Sequence, residues 1–303
     1  MSVAGTVCVR VPATSANLGP GFDSLGLALG IYDEVTVSIS SEPGVCVEVT
    51  GEGAARIPRD HENFVVRGVT AVFAAAGLVV PGIRVSAQNR VPFGRGLGSS
   101  ASAVAAGVIA GASLLEQDRI IQPEELLEFA VAIEGHPDNV AAALFGELTI
   151  AWLDDTRARF TRLAVHPEIA PLVLVPAATA STAQVRELIP AQVPHADAVF
   201  NVSRSALLIA ALTENPALLL DATADRLHQS YRAAAMPETA NLVQILRQAG
   251  FAAVVSGAGP SVLVLAHDTA QRQAALDTVS HALDENWHPL MLSVSAQGAT
   301  VVS

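Results

Sequence analysis

The chain has 303 residues, a hydrophobic content of 51%, 15% charged side chains and a formal net charge of -12. That balance marks a folded globule with a sizeable core, suggests about two domains, and argues against nucleic acid or an anionic membrane as the main partner. The 17 basic residues are all arginine, which excludes Walker A loops, the strand lysine of protein kinases and Schiff-base chemistry together. Cys8 and Cys46 sit in alternating apolar runs and are expected in the core rather than in a disulfide. With no basic leader and no uninterrupted apolar run of membrane length, the expected compartment is the cytoplasm.

Residues 6–11 alternate and predict a strand ending at Pro12. Residues 12–23 (PATSANLGPGFD) are dense in turn formers and predict a loop in which Asn17 and Asp23 face one ligand. Strands are predicted at 34–40, 45–49 and 83–87, with a helix over 63–76. The stretch Pro92-Phe93-Gly94-Arg95-Gly96-Leu97-Gly98-Ser99-Ser100-Ala101-Ser102 follows and opens into an apolar run of helix length at 103–115. Its alternate glycines let the backbone approach a ligand closely. A glycine loop feeding a helix N-terminus also gathers unpaired N–H groups at the positive dipole end, which makes an anion site. Ser99, Ser100 and Ser102 are candidates to cap the helix or to offer hydroxyls to a metal-bound phosphate. The GxGxG spacing is not the dinucleotide GxGxxG, so the ligand read here is a phosphate held by amides, arginine and metal.

Residues 123–133 predict a second helix, with proline at its start and Glu124 and Glu125 in its first turn. It runs into Glu134-Gly135-His136-Pro137-Asp138-Asn139, and the apolar residues 140–145 indicate that this polar cluster is flanked by buried structure. Residues 152–163 turn charged and loop-like, which predicts domains at 1–155 and 156–303. A strand at 172–175 and helices at 196–212, 217–228 and 238–249 follow. Strands at 252–255 and 262–265 then flank Ser256-Gly257-Ala258-Gly259-Pro260-Ser261, before a helix at 269–283 and two short strands. Strands and helices in both orders predict an α+β class in each half.

The stretch 92–102, the N-terminal PATSANLGPGFDSLG (12–26) and the late SGAGPS (256–261) resemble the three signature motifs of the GHMP small-molecule kinases. Within them, SANLGPGFDSLGLAL, EGHPDNVA, STAQVRELIP, HADAVFN and DRLHQSYR resemble the homoserine kinase branch, in order and over nearly the full length. The resemblance implies an α+β two-domain GHMP kinase fold. Its N-terminal ATP-binding domain would be similar to ribosomal protein S5 domain 2, its C-terminal domain ferredoxin-like, and the active site would lie between them. It also implies ATP- and Mg²⁺-dependent phosphorylation of the L-homoserine hydroxyl, a step toward threonine, and a homodimer. The alternatives are a mevalonate- or sugar-type GHMP kinase, or a non-catalytic member that binds a nucleotide or metabolite.

On that resemblance, the loop from Pro92 to Ser102 wraps the triphosphate, with Asn63 and Phe64 at the adenine and ribose end. Glu134 and a loop serine, Ser100 ahead of Ser99, hold Mg²⁺. Arg186 and Arg232 bind the substrate carboxylate, a role suited to a planar guanidinium fork, and Thr182 stands beside Arg186. Asn17, Asp23 and Asn139 meet the amino and hydroxyl end, and Gly257 belongs to a second glycine loop packed on the first. The chemistry falls to Asn139, Asp23, Glu134 and Arg186. Asn139 stands where some relatives carry an aspartate base, so Asn139 and Asp23 are expected to orient the hydroxyl without a dedicated base. Asp138 is the reserve base, and His136 is expected to be structural. Glu147 replaces a family glycine and Ser230 a family proline.

Overall fold

The computed structural model describes residues 5–80, 82–115, 121–155 and 157–302. β1 (Thr6–Asn17) and β2 (Gly21–Ile39) form a long antiparallel pair that runs through most of the stretch expected to be a loop. The turn-rich composition is absorbed by register shifts at Pro12/Ala13 and Ala16/Asn17, where bulges tolerate a proline and re-aim the strand. β3 (Gly44–Gly51) and β4 (Gly82–Asn89) pair in parallel across the helix α1 (Phe64–Ala75). α2 (Ser99–Leu114), α3 (Pro123–Glu134) and α4 (Pro137–Phe145) follow, then the hairpin β5 (Leu148–Asp154) and β6 (Arg157–Leu163). Residues 152–163, expected as loop-like, are therefore mostly hairpin. The boundary expected after 155 falls on its turn, with residue 156 outside the described residues.

The second half comprises β7 (Ala170–Pro176), α5 (Thr182–Arg186), α6 (His195–Thr213), α7 (Leu219–Ala222), α8 (Gln229–Arg232) and α9 (Pro237–Gln248). β8 (Ala253–Val255), β9 (Val262–Ala266), α10 (Thr269–Val279), β10 (Trp287–Met291) and β11 (Thr300–Val302) complete the chain. A seven-stranded sheet has the order β11-β1-β2-β4-β3, with β5 on β2 and β6 on β5, and a four-stranded antiparallel sheet has the order β10-β7-β9-β8. The C-terminal strand thus returns to the first sheet.

Two faces of the small sheet are buried, which explains why its central strands read as continuous apolar runs. Leu172, Leu174, Val262 and Val264 pack under α9 and α10 with Leu242, Leu246 and Val279. Their neighbours Val173, Val175, Leu263 and Leu265 pack against Leu27 and Leu29 of β2, Leu148 of β5 and Leu208 and Leu212 of α6. The halves therefore share a core, and each fully buried leucine in it contributes about 1.5–3 kcal/mol. The first sheet buries Val9, Val35 and Val37 under α1 and α2 with Val66, Phe73, Val104 and Val108. Gly107 lets these two helices touch, because a Cβ there would lie 2.3 Å from the Val65 carbonyl oxygen. Close packing offsets the helix propensity that the glycine loses.

Three local expectations are corrected. The helix expected over 217–228 stops at Ala222, because the Asp225 carboxylate accepts from the N–H groups of Leu227, His228 and Gln229 at 2.9, 3.2 and 2.8 Å. Such local bonds compete with the helical ladder. Cys46 is exposed and Cys8 half-buried, because strand alternation puts them on the outward faces, Cys8 with Thr6 and Arg10 and Cys46 with Gly44 and Glu48. Among the described residues, α6 is long and apolar enough to cross a membrane by length and composition; here its Leu208 and Leu212 enter the shared core. Glu147 adopts a positive φ of 56° and its carboxylate accepts from the Val165 N–H at 2.9 Å, so the departure from glycine keeps the glycine-like backbone.

Candidate active site

A cavity of about 260 Å³ opens between the two halves. It is lined by Asn17, Asp23, Asn63, Phe64, Phe93, Gly94, Gly96, Gly98, Ser99, Ser100, Glu134, Asn139, Thr182, Arg186, Arg232 and Gly257. Residues distant in sequence therefore meet at one place: Asn17 and Gly257, 240 positions apart, are joined by a hydrogen bond. Pro92, Arg95, Leu97, Ala101 and Ser102 do not line the cavity. Leu97, Ala101 and Ser102 are buried, and the Ser102 hydroxyl donates to the Pro12 carbonyl at 2.8 Å, tying α2 to β1. Arg95 does not extend over the rim but pairs with Glu52 at 2.9 Å and donates to the Ala177 carbonyl at 3.2 Å.

At one end, Gly94, Gly96 and Gly98 adopt φ of 68°, 74° and 68°. Among the described residues, the backbone N–H groups from Gly94 through Ser100 make no hydrogen bond to a protein acceptor, and Gly98 is the N-cap of α2 without a side-chain cap. The serines are thus not caps; they occupy the first turn of α2. Free amides at the positive end of a sixteen-residue helix form an anion cradle. The Ser256 hydroxyl donates to the Gly96 carbonyl at 2.6 Å, so the second glycine loop braces the first. The Ser100 hydroxyl donates to the Glu134 carboxylate in a short hydrogen bond. Burial raises the Glu134 pKa, opposed by that bond and by Arg67. Asn63, expected at the nucleotide end, spends its side chain on the fold: Oδ1 accepts from the N–H groups of Val65 and Val66, and Nδ2 donates to the Pro58 carbonyl. Ile57, Pro58, Phe64 and Phe93 give this end its apolar wall.

At the other end, the β1–β2 turn holds Asn17 and Asp23 at positive φ of 69° and 56°, a conformation that Asn and Asp tolerate better than other side chains. The Asp23 N–H donates to Asn17 Oδ1 at 3.0 Å, and Asn17 Nδ2 donates to the Gly257 carbonyl at 2.9 Å. Arg186 makes a two-pronged ion pair with Asp23, with Nη1 3.1 Å from Oδ1 and Nη2 on Oδ2. Arg232 is 2% exposed, and its Nε has no hydrogen-bond partner among the described residues. Both guanidinium groups lie over the Phe22 ring, that of Arg186 5.3 Å and that of Arg232 5.4 Å from its centroid.

Residues 137–145 form the helix α4, which was not expected from the sequence. Pro137 starts it immediately after the left-handed Gly135 cap, and its first turn presents Asp138 and Asn139 to the cavity. The Thr14 hydroxyl donates to Asn139 Oδ1 at 2.8 Å. Burial pushes the Asp138 carboxyl up to about 7, opposed by the Asn139 N–H and reinforced by Asp23. Burial, then Arg186, lowers the His136 pKa. A carboxyl raised in the folded state stabilises fully only below its unfolded pKa, and the contribution is lost as pH rises toward 7. Asp138→Asn keeps the acceptor for Asn139 and removes this cost. It is expected to stabilise the protein by roughly 2–4 kcal/mol near pH 8 and by about zero near pH 4. Thermal melts at the two pH values check this; equal shifts at both would contradict it.

Thr14, Phe22, Glu52, His228 and Ser256 were not read as site residues from the sequence. Thr14 and Phe22 lie in the 12–26 motif, Ser256 in the 256–261 motif and His228 four residues before Arg232 in DRLHQSYR, whereas Glu52 lies in no motif.

The family described as GHMP kinases N terminal domain matches residues 63–147, and that described as GHMP kinases C terminal matches 205–287. The homoserine kinase of Clavibacter michiganensis subsp. michiganensis is 57% identical over 97% of this chain and 93% of its own length. That of Leifsonia xyli subsp. xyli is 56% identical over 98% and 92%. Among solved structures, homoserine kinase from Cytophaga hutchinsonii aligns with a TM-score of 0.86 at 28% identity, over 100% of this chain and 99% of that one. The L. major mevalonate kinase, with a TM-score of 0.69 at 19% identity over 97% of each chain, shares the fold. The mixed α+β architecture is the two-domain GHMP kinase fold, and with identity this high over nearly its whole length the chain belongs to the homoserine kinases of the GHMP kinase family.

Proposed function

We propose that this cavity transfers the γ-phosphoryl group of ATP to the hydroxyl of L-homoserine, a step toward threonine. The observation that carries the reading is one pocket with opposite charges, Arg186, Arg232 and Asp23, at one end and the amide-rich loop at the other. Homoserine is a small zwitterion. Its carboxylate matches the guanidinium forks and its ammonium matches Asp23, so it meets the Arg186–Asp23 pair with charges reversed. Arg232, buried with an unpartnered Nε, has a donor left for an anion. Mevalonate has no ammonium to set against Asp23. Thr182, at the start of α5, lines the same end.

For the nucleotide, the amides from Gly94 to Ser100 would cradle the phosphates. Mg²⁺ favours hard oxygen ligands and keeps several waters, and the adjacent Ser100 hydroxyl and Glu134 carboxylate are such a donor set. When bound, the ion neutralises charge on the phosphates. Phosphoryl transfer then depends on in-line positioning more than on a strong base. Asn139 cannot act as a base; with Asp23 it orients the hydroxyl, while Thr14 fixes its amide.

A coupled ADP-release assay with Mg-ATP across homoserine, mevalonate, shikimate and galactose tests the proposal. Turnover with homoserine alone, on the order of 1–100 s⁻¹, is expected. Faster turnover of mevalonate or galactose would assign a different GHMP substrate, and nucleotide binding without any turnover would make the chain a non-catalytic binder.

A further inference from the structure

His228 is fully buried, and its ring stands between two hydrogen-bond partners from distant parts of the chain. Nε2 lies 2.8 Å from the Gly19 carbonyl oxygen, and Nδ1 lies 3.2 Å from Arg232 Nη1. A guanidinium has five N–H donors, no acceptor, and keeps its proton in proteins, so Arg232 donates and Nδ1 accepts. A carbonyl oxygen only accepts, so Nε2 carries the hydrogen. One form satisfies both contacts: the neutral imidazole protonated at Nε2.

We infer that His228, as the neutral Nε2–H tautomer, is a positioning residue that holds the Arg232 guanidinium toward the substrate cavity and ties it to the β1–β2 turn. This rests on the reading of Arg232 as a ligand of the substrate carboxylate. Arg232 needs such a hold, because its other bond, Nη1 to the Gly257 carbonyl, is 3.3 Å long. Gly19 belongs to the turn between Asn17 and Asp23, so one imidazole links the anion-binding arginine to the cation-binding end. The Phe22 ring stacks on His228 with centroids 5.0 Å apart, which fixes the ring plane. Asp225, itself buried, accepts from the His228 N–H and sets the backbone at the start of α8.

The charged groups facing the ring agree with this tautomer on balance. Asp225, with Oδ2 3.7 Å from Nε2, and Asp23 favour a proton; burial and Arg232 oppose it, and burial is the largest effect, so the His228 pKa is lowered. An imidazolium would turn an N–H toward the Arg232 fork and lose the bond between them.

Two substitutions separate the ring's roles. Asparagine can place an amide oxygen near the position of Nδ1, whereas glutamine reaches toward Nε2 and offers Arg232 no acceptor. His228→Gln is expected to raise the KM for homoserine about tenfold, as for loss of one hydrogen bond to a charged group, with kcat and the KM for ATP within about twofold. His228→Asn is expected to stay within about threefold of the parent on all three. In the parent enzyme, ¹⁵N NMR of the imidazole, assigned by its disappearance in His228→Asn, should report Nε2 protonated and Nδ1 bare at neutral pH. A protonated Nδ1 overturns the inference, as does His228→Gln with unchanged homoserine KM while Arg232→Gln raises it. An unchanged homoserine KM in Arg232→Gln overturns the carboxylate reading, and the positioning role falls with it.

Discussion

Replacing Arg186 by alanine is expected to raise the KM for homoserine about a hundredfold while moving the KM for ATP less than about threefold. Arg186 sits at the end of α5, and its pair with Asp23 leaves both side chains about one-third exposed, at 36% and 32%. A partly exposed pair contributes little to folding, about 0–1 kcal/mol, so the melting temperature should barely move. The loss falls on binding instead. The substrate carboxylate loses its fork, and Asp23, no longer balanced, repels it across the same short distance. Together these are worth about 3 kcal/mol, which corresponds to roughly two decades. Steady-state kinetics with each substrate varied in turn, together with a thermal melt, check this. A proportional fall in affinity for both substrates would make Arg186 a residue of the fold rather than of the substrate site.

Gly98→Ala is expected to lower kcat at least about a hundredfold and to cost about 2–5 kcal/mol of stability. Gly98 caps α2 at φ 68° and ψ 25°, where alanine is disfavoured by about 1–2 kcal/mol. Its Cβ would lie 1.9 Å from the Thr14 hydroxyl oxygen and 3.2 Å from Asn139 Oδ1. Those two atoms share the 2.8 Å hydrogen bond that fixes the Asn139 amide. One methyl group therefore breaks the link that orients Asn139 and pushes the first amides of α2 away from β1. Relief of the clash moves the parts that have to be in line for transfer. Kinetics and melting of the variant report both effects; a lowered melting temperature with the parental kcat would mean that this contact shapes the fold without shaping the chemistry.

The sequence made some of this legible and hid the rest for physical reasons. α1 and α3 were readable because Asn63 caps one, and a proline with Glu124 and Glu125 opens the other. Residues 12–17 were misread because turn-forming residues sit inside a strand at two bulges, and local composition does not distinguish a bulge from a loop. The end of α7 was misplaced because Asp225 satisfies backbone N–H groups that a helix would have used. In the site, the motif residues reach one cavity, but their mutual arrangement was not written locally. Asp23 and Arg186 are 163 residues apart and already hold each other. His228 and Gly19, 209 apart, meet only because the second sheet docks on β2. Arg95 stood in a loop whose neighbours face the ligand, yet Glu52 draws it to the outer side.

The central claim is that the substrate is recognised as a zwitterion, with its carboxylate on Arg186. The most direct measurement is kcat/KM for homoserine and for 3-aminopropan-1-ol, which keeps the amine and hydroxyl but lacks the carboxylate, on both the parent enzyme and Arg186→Ala. The expected result is that the substitution costs about a hundredfold on homoserine and less than about threefold on the amino alcohol. An equal loss on both compounds would show that Arg186 does not act on the carboxylate, and would contradict the account.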